Sequence, residues 1–145
     1  MKVKIKKLNQ KAILPTYGSE FSAGADLYAC IDEDVVIKAG ETVFVGTGLA
    51  MELEAGYVAL VYARSGLACK KGLAPANKVG VIDSDYRGEI MVALHNHSGE
   101  ERTVCVGERI AQMVVTPYIK CEFEEAEELD QTQRGEGGFG STGRK

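Results

Sequence analysis

The segment from Gly80 to Gly88 holds the densest group of side chains that could do chemistry. Its sequence, Gly-Val-Ile-Asp-Ser-Asp-Tyr-Arg-Gly, sets two carboxylates and a tyrosine between turn-forming glycines. Carboxylates act as general bases when they face a cleft, whereas Asp and Gly also form turns for structural reasons alone. We therefore predict the turn of a hairpin here, with part of the group serving only to form that turn.

The segment from Ala63 to Ala68, Ala-Arg-Ser-Gly-Leu-Ala, directly follows a predicted strand. An arginine, a serine and a glycine at a strand end can present a guanidinium, a hydroxyl and backbone N–H groups to one anion. A plain surface turn explains the same residues. Taken alone, the segment favours the turn.

Two shorter segments place charged residues at strand starts. Gly24–Tyr28 carries Asp26 into a strand, and Gly107–Gln112 opens another strand with a charged turn. Taken one at a time, each segment is better explained as charged residues at the edge of a sheet than as a functional site. Together with the two preceding segments, they supply the cations, donors and base that a triphosphate site requires.

The C-terminal segment Arg134–Gly143 contains an arginine, one aromatic residue and two hydroxyls among glycines, which suits the wrapping of phosphate. A disordered solubilising tail is the alternative on composition. The spacing of Gly135, Gly137 and Gly140 imitates a dinucleotide-binding fingerprint, but no strand precedes it and too few residues follow for a helix. The same segment matches the spacing of a phosphate-binding loop, but the lysine of that loop and the helix that should follow it are missing. We therefore reject both patterns.

The elements that must position these residues are β-strands. Short β-branched or alternating runs, bounded by turn-formers, predict an all-β, antiparallel sandwich or barrel with one short helix at Ser65–Lys71. The predicted strands are Val3/Ile5, Val35–Ile37, Val43–Val45, Leu49–Leu53, Tyr57–Tyr62, Ile90–Leu94, Val104/Val106 and Ile110–Val115.

Composition limits the classes of function. The 145 residues carry 17 Lys and Arg against 21 Asp and Glu, a net charge of −4, which argues against nucleic acid as a partner. The acidic excess is concentrated in Glu122–Asp130. We predict a β domain over residues 1–124 and an acidic spacer with a glycine-rich arm over residues 125–145.

The cysteines and histidines do not form a metal-binding pattern. Cys30, Cys69, Cys105 and Cys121 contain no C-x-x-C pair, so we expect free thiols in hydrophobic or strand-like settings and a reducing compartment. His95 and His97 are interpreted as structural. The N-terminus has no apolar signal core and the chain no long apolar run, so we expect a soluble, cytoplasmic protein without a membrane partner.

In order along the chain, these segments resemble the five motifs of the homotrimeric dUTP pyrophosphatase (dUTPase) family. The segments that carry the resemblance are Ala23–Ala29, Ala63–Ala68, Gly80–Gly88, Gly107–Gln112 and Arg134–Gly143. The resemblance implies Mg²⁺-assisted hydrolysis of dUTP to dUMP and pyrophosphate, which limits uracil incorporation into DNA and supplies dUMP for thymidylate synthesis. It also implies a jelly-roll-like β fold with a flexible C-terminal arm that closes over an active site, and a homotrimer that builds each site from several subunits.

The resemblance further implies a role for individual residues around the nucleoside. Asp83 would be the general base that activates water for in-line attack on the α-phosphorus. Tyr86 would pack under the deoxyribose and exclude a 2′-hydroxyl. Asn77 and the backbone near Gly80 would read the edge of the uracil.

Other residues would hold the triphosphate. The implied phosphate ligands in the β domain are Arg64, Ser65, Gly66 and Gln112. Asp26 would orient Arg64 and reach Mg²⁺ through a bridging water, because this ion retains much of its hydration. In the arm, Arg134 would clamp the γ-phosphate and Phe139 would stack on the base. The remaining arm ligands would be Gly140, Ser141 and Thr142.

Two alternatives remain open from sequence. A dCTP deaminase shares the implied fold, although the segments Gly80–Gly88 and Arg134–Gly143 favour a dUTPase. A nucleotide-gated regulatory binding protein would use the same pocket with slow or incidental hydrolysis.

Overall fold

Antiparallel β-strands dominate the computed structural model, which describes residues 1–138. The strands are β1 (Lys4–Lys7), β2 (Thr16–Tyr17), β3 (Ala25–Tyr28), β4 (Val35–Ile37), β5 (Thr42–Gly46), β6 (Leu49–Glu52), β7 (Tyr57–Tyr62), β8 (Leu73–Pro75), β9 (Gly80–Ile82), β10 (Met91–Asn96), β11 (Arg102–Val104) and β12 (Arg109–Pro117). A π-helical turn covers Leu67–Lys71 and is preceded by two helical residues, Ser65 and Gly66. The predicted all-β class and the single short helix are confirmed.

One five-stranded sheet, in the order β2-β3-β12-β7-β9, carries Asp26, Gly80 and Gln112, and its strands β7 and β9 lead to Arg64 and Asp83. A three-stranded sheet, β5-β10-β8, and two pairs, β1-β6 and β11-β4, make up the other sheets of the described residues. Because β12 pairs with both β3 and β7, it lies next to the strands that carry Asp26 and lead to Arg64. The central strand thereby brings distant parts of the sequence together.

Alternating apolar residues from these sheets form one core. Leu27, Ile37, Leu49, Leu94 and Ile110 are fully buried there, as the period of two in a strand requires when one face is covered. Buried polar groups are bonded: Asn96 Nδ2 donates to the carbonyls of Ile37 and Glu100 at 2.9 and 2.7 Å. The core is rigid enough to fix the loops at both ends of the sheets.

The predicted hairpin at Gly80–Gly88 is wrong. β9 pairs with β7, whereas the next strand, β10, pairs with β5 and β8. The turn residues are present, since the Tyr86 N–H donates to the Asp83 carbonyl at 3.2 Å. The loop therefore crosses from one sheet to the other, because turn chemistry determines where a chain reverses and not which strands then pair.

The described cysteines are free thiols, as predicted, but only Cys30 is partly buried, and Cys69, Cys105 and Cys121 are exposed. The two histidines are held by structural hydrogen bonds: His95 Nδ1 lies 3.0 Å from the Thr42 hydroxyl, and His97 Nε2 lies 3.1 Å from the Ala68 carbonyl. Within residues 1–138 no helix is long and apolar enough to cross a membrane.

The loop that precedes β12 gives a test of local electrostatics. The Asp34 carboxylate accepts the Val106 N–H at 2.8 Å, and its hydrogen bond with the neighbouring thiol raises the pKa of Cys105. A raised pKa leaves less reactive thiolate near pH 8. We expect Asp34→Asn, which removes the charge, to accelerate alkylation of Cys105 by iodoacetamide, measured by mass spectrometry. Cys121 in the same sample serves as the internal control, and an unchanged Cys105 rate would refute this assignment.

Candidate active site

The first group of candidate residues lines a pocket of about 350 Å³ between the two larger sheets, a size within the usual range for small-molecule sites. Its predicted members are Asn77, Gly80, Asp83 and Tyr86. Phe44 from β5 and Met91 from β10 form the opposing wall, and both have exposed side chains. We call this the inter-sheet pocket.

The crossing loop holds Tyr86 at the wall of this pocket. The Tyr86 hydroxyl donates to the Glu89 carbonyl at 3.0 Å, and its ring covers Gly88 so closely that a Cβ there would collide with it. Arg87 reinforces the loop, because its Nη1 donates to the carbonyls of Ser84 and Tyr86 at 2.7 and 2.9 Å. The ring is thus fixed before any ligand arrives.

Asp83 lies at the mouth of the pocket, where β9 ends. Its residue is exposed, and among the described residues no side-chain hydrogen bond or ion pair engages its carboxylate. A carboxylate in this position can bind a water molecule and accept its proton.

The second group of candidates surrounds a buried carboxylate at another edge of the five-stranded sheet. Asp26, only 8% exposed, accepts Arg64 Nε at 2.7 Å on one oxygen and Arg109 Nη1 at 3.2 Å on the other. Gln112 is paired with Asp26 across the sheet and donates from Nε2 to the Ala63 carbonyl at 2.9 Å. We call Asp26, Arg64, Arg109 and Gln112 the arginine cluster.

The charge balance of this cluster favours an anion. A buried carboxylate is stabilised by charge-assisted hydrogen bonds, and here one carboxylate faces two guanidiniums, which leaves a net positive charge. Arg64 is 27% exposed and Arg109 is 51% exposed along their side chains. Ser65 and Gly66, which follow Arg64, are exposed at the start of the helical turn. The cluster and this turn can therefore receive phosphate oxygens.

The structure does not bring the two groups together within one chain. Ala59 of β7 pairs with Ile82 of β9, so Asp83 emerges beside Val58, while Arg64 follows the far end of β7. At about 3.4 Å per residue, positions 58 and 64 are roughly 20 Å apart along the sheet. A single ligand phosphate cannot touch both Asp83 and Arg64 of the same chain.

The arm residues form a third group. Arg134 Nε donates to the Gly137 carbonyl at 2.8 Å, within its own turn. From residue 119 to residue 138, the hydrogen bonds are all internal to that segment. The predicted ligands Phe139, Gly140, Ser141 and Thr142 lie outside the described residues.

Arg109 lies within the predicted segment Gly107–Gln112, but the sequence gives it no role of its own. No pattern in the sequence shows that it meets Asp26, because Arg109 and Gln112 are three residues apart and a regular strand would place them on opposite faces. The pairing of β12 with β3 is irregular between Arg109 and Ala111. This irregularity is visible only in the structure.

Comparisons with known proteins agree on one family. A family model described as dUTPase matches residues 10–143. The deoxyuridine 5′-triphosphate nucleotidohydrolase of Nautilia profundicola is 54% identical over 99% of this chain and its own full length. The enzyme of the same name from Hydrogenobaculum sp. is 53% identical over the full length of both chains.

A solved structure shows the same similarity in three dimensions. A point mutant of the dUTPase of Staphylococcus bacteriophage 80alpha, with dUpNHpp, has a TM-score of 0.89 and 27% identity to this chain. The alignment covers 98% of each chain. The arrangement of strands around the two groups is therefore shared with a nucleotide-bound relative.

The packing of Gly24 against Gln112 gives a test of the arginine cluster. A Cβ on Gly24 would lie 2.5 Å from Gln112 Oε1 and 3.3 Å from its Cβ. We expect Gly24→Ala to lower the free energy of unfolding by about 1–3 kcal/mol, because overpacking forces side chains out of place. Urea unfolding measures this change.

Two variants control this comparison. Gly99→Ala should be nearly neutral, since a Cβ there meets nothing within 4 Å. In a Gln112→Ala background most of the Gly24→Ala penalty should disappear, because Oε1 and Cδ, the two nearer atoms, are gone and only the Cβ at 3.3 Å remains. A penalty that persists there would show that Gly24 does not act through Gln112.

Proposed function

This chain belongs to the dUTPase family, and on that premise we propose how its residues hydrolyse dUTP to dUMP and pyrophosphate. The protein is a dUTP diphosphatase. The observation that carries the mechanism is that the structure holds two chemically different groups. One is an exposed carboxylate at a pocket suited to a nucleoside, and the other is a positively charged cluster suited to phosphates.

Asp83 is the proposed general base. Its carboxylate has no competing partner among the described side chains and faces the mouth of the inter-sheet pocket. From this position it would orient a water molecule for in-line attack on the α-phosphorus and accept a proton from it. The bond from this phosphorus to the oxygen that leads to the β-phosphate would break, and pyrophosphate would leave.

The inter-sheet pocket would take the nucleoside. Because its hydroxyl is anchored to Glu89, the Tyr86 ring would lie flat under the deoxyribose and leave no space for a 2′-hydroxyl. Asn77 and the backbone at Gly80 would supply donors and acceptors for the edge of the uracil, since both line the pocket. Selection of sugar and base would then occur on one rigid wall.

The arginine cluster would take the triphosphate. Arg64 uses Nε on Asp26, and its Nη1 makes only a long contact of 3.5 Å with the Arg109 carbonyl. Its terminal N–H groups can therefore donate to phosphate oxygens. The Ser65 hydroxyl would donate to the oxygen that bridges the α- and β-phosphates, where charge develops as pyrophosphate leaves. The backbone N–H of Gly66 and the side chain of Gln112 would bind further oxygens of the chain.

The residues present fit Mg²⁺ that is held mainly by the substrate. Within residues 1–138 no group of three or more His, Cys, Asp or Glu side chains could hold a metal by itself. Each Asp26 oxygen already accepts one guanidinium N–H and keeps a lone pair free for a water of the ion's hydration shell. The ion, when bound, would neutralise charge on the phosphates.

The separation of the two groups supports a homotrimer as the proposed assembly. Asp83 and Arg64 lie near opposite ends of β7 and cannot reach one phosphate in the same chain, so a complete site would combine the inter-sheet pocket of one copy with the arginine cluster of a neighbour. A closed three-fold ring repeats this one contact and completes every site. Arg134 and the residues from Phe139 to Thr142, in the arm proposed over residues 125–145 after the β domain proposed over residues 1–124, would close such a site.

The proposed location is the cytoplasm. Four free thiols, three of them exposed, fit a reducing compartment.

Asp83→Asn tests the mechanism. The amide keeps the shape of the side chain but cannot accept a proton, so we expect the turnover number to fall by about 10²- to 10⁴-fold. Binding of a non-hydrolysable dUTP analogue should stay close to that of the unmodified protein. Pyrophosphate release, followed with a coupled assay, measures the rate.

The control is Asp32→Asn, which removes an exposed carboxylate bonded to Lys11 at 2.9 Å and should leave the rate unchanged. Activity of Asp83→Asn within twofold of the unmodified protein would rule out Asp83 as the base. Release of phosphate with dUDP, in place of pyrophosphate with dUMP, would rule out attack at the α-phosphorus.

A further inference from the structure

Arg109 is the member of the arginine cluster to which the proposed function gives no task. Its Nη1 donates to Asp26 Oδ2 at 3.2 Å, while Arg64 Nε donates to Asp26 Oδ1 at 2.7 Å. The carboxylate is 11% exposed along its side chain. Two arginines therefore divide the oxygens of one nearly buried carboxylate between them.

A local irregularity in β12 puts Arg109 in this position. Gln112 pairs with Asp26, but Arg109 pairs with Tyr28, because the register shifts by one residue between Arg109 and Ala111. Asp26 and Tyr28 lie on the same face of β3, since they are two residues apart. Their partners consequently share that face as well, which residues three apart in a regular strand do not.

The fully buried Ile110 sits at this irregularity. Without the shift, Arg109 would lie on the same face of β12 as Ala111 and Met113, which are buried in the core. A bulge disrupts part of the ladder between two strands and is commonly used to aim a side chain. Here the bulge places the Arg109 guanidinium beside Asp26, whereas a regular strand would direct it into the core.

The geometry of arginine–carboxylate pairs explains why a second guanidinium matters. A guanidinium and a carboxylate prefer to form two parallel hydrogen bonds, one to each oxygen. If Asp26 Oδ2 had no other donor, Arg64 could rotate and place a terminal N–H on it. That rotation would remove the N–H groups that Arg64 needs for phosphate oxygens.

We propose that Arg109 is a positioning residue for the hydrolysis of dUTP: by occupying Asp26 Oδ2, it restricts Arg64 to a single bond to Asp26, through Nε, and keeps the terminal N–H groups of Arg64 available to the triphosphate. The one contact of these groups within the chain is long, from Arg64 Nη1 to the Arg109 carbonyl at 3.5 Å. The inference rests on the proposed function of Arg64. Arg109 acts on Arg64 through the carboxylate they share and need not touch the substrate.

Arg109→Gln tests this inference, because glutamine keeps a donor but loses the charge and the fork. We expect the affinity for a non-hydrolysable dUTP analogue to fall about tenfold, which corresponds to the loss of roughly one charge-assisted hydrogen bond from Arg64 to the phosphates. The inhibition constant of deoxyuridine, which has no phosphate, should not change. Isothermal titration gives the first quantity and competition kinetics the second.

The coupling to Asp26 separates positioning from a general loss of structure. In Asp26→Asn the carboxylate is gone, so adding Arg109→Gln should weaken analogue binding no further. Lys11→Gln, which removes an exposed cation paired with Asp32, is the control for charge alone and should bind as the unmodified protein does. Arg109→Lys should lose about threefold in analogue affinity, because it retains the charge but offers a point contact.

The inference is overturned if Arg109→Gln binds the analogue normally, if deoxyuridine binding falls in parallel, or if the two substitutions are additive. If Arg109→Gln does not unfold cooperatively, Arg109→Lys replaces it in the test. The inference then requires that Arg109→Lys lose about threefold in analogue affinity and bind deoxyuridine as the unmodified protein does. If instead the unmodified protein does not release pyrophosphate from dUTP, the proposed function itself fails, which distinguishes the two outcomes.

Discussion

The antiparallel pairing of β7 with β9 is the constraint on which the site depends. It sends Asp83 towards the beginning of β7, whereas the chain continues from the other end of β7 into Arg64. The strand is long enough to keep the proposed base and the proposed phosphate ligand roughly 20 Å apart in one chain. In the proposed assembly each copy would carry two incomplete halves, and a heterologous contact between copies would complete both.

Each half is built so that its key side chains are fixed in advance. In the inter-sheet pocket, Tyr86 is tied to Glu89 and the loop is closed by Arg87, so ligand binding need not order it. In the arginine cluster, Asp26 is nearly buried and would be unfavourable without its two guanidiniums. Gly24 leaves space for the Gln112 side chain, which donates to the Ala63 carbonyl. The bulge at Ile110 lets Arg109 reach the Asp26 carboxylate. Fixed donors are the arrangement that stabilises developing charge most effectively.

Much of this could be predicted from sequence, and the failures have physical causes. Tyr57–Tyr62 and Val35–Ile37 were predicted with the bounds the structure shows, because β-branched runs between turns report local structure directly. The hairpin at Gly80–Gly88 was wrong because strand pairing is decided by distant residues. The contact between Arg109 and Asp26 was missed because a one-residue bulge changes which face a side chain occupies and leaves no sign in the spacing.

Complementation between two inactive variants tests the divided site most directly. Asp83→Asn and Arg64→Ala would each be purified, mixed in equal amounts, unfolded and refolded together, and assayed for pyrophosphate release from dUTP. If each site takes Asp83 from one copy and Arg64 from a neighbour, random reassembly leaves roughly a quarter of the sites with both native residues. We predict that the mixture recovers about a quarter of the activity of unmodified protein treated in the same way. A mixture no more active than its two components would contradict a site built from more than one copy.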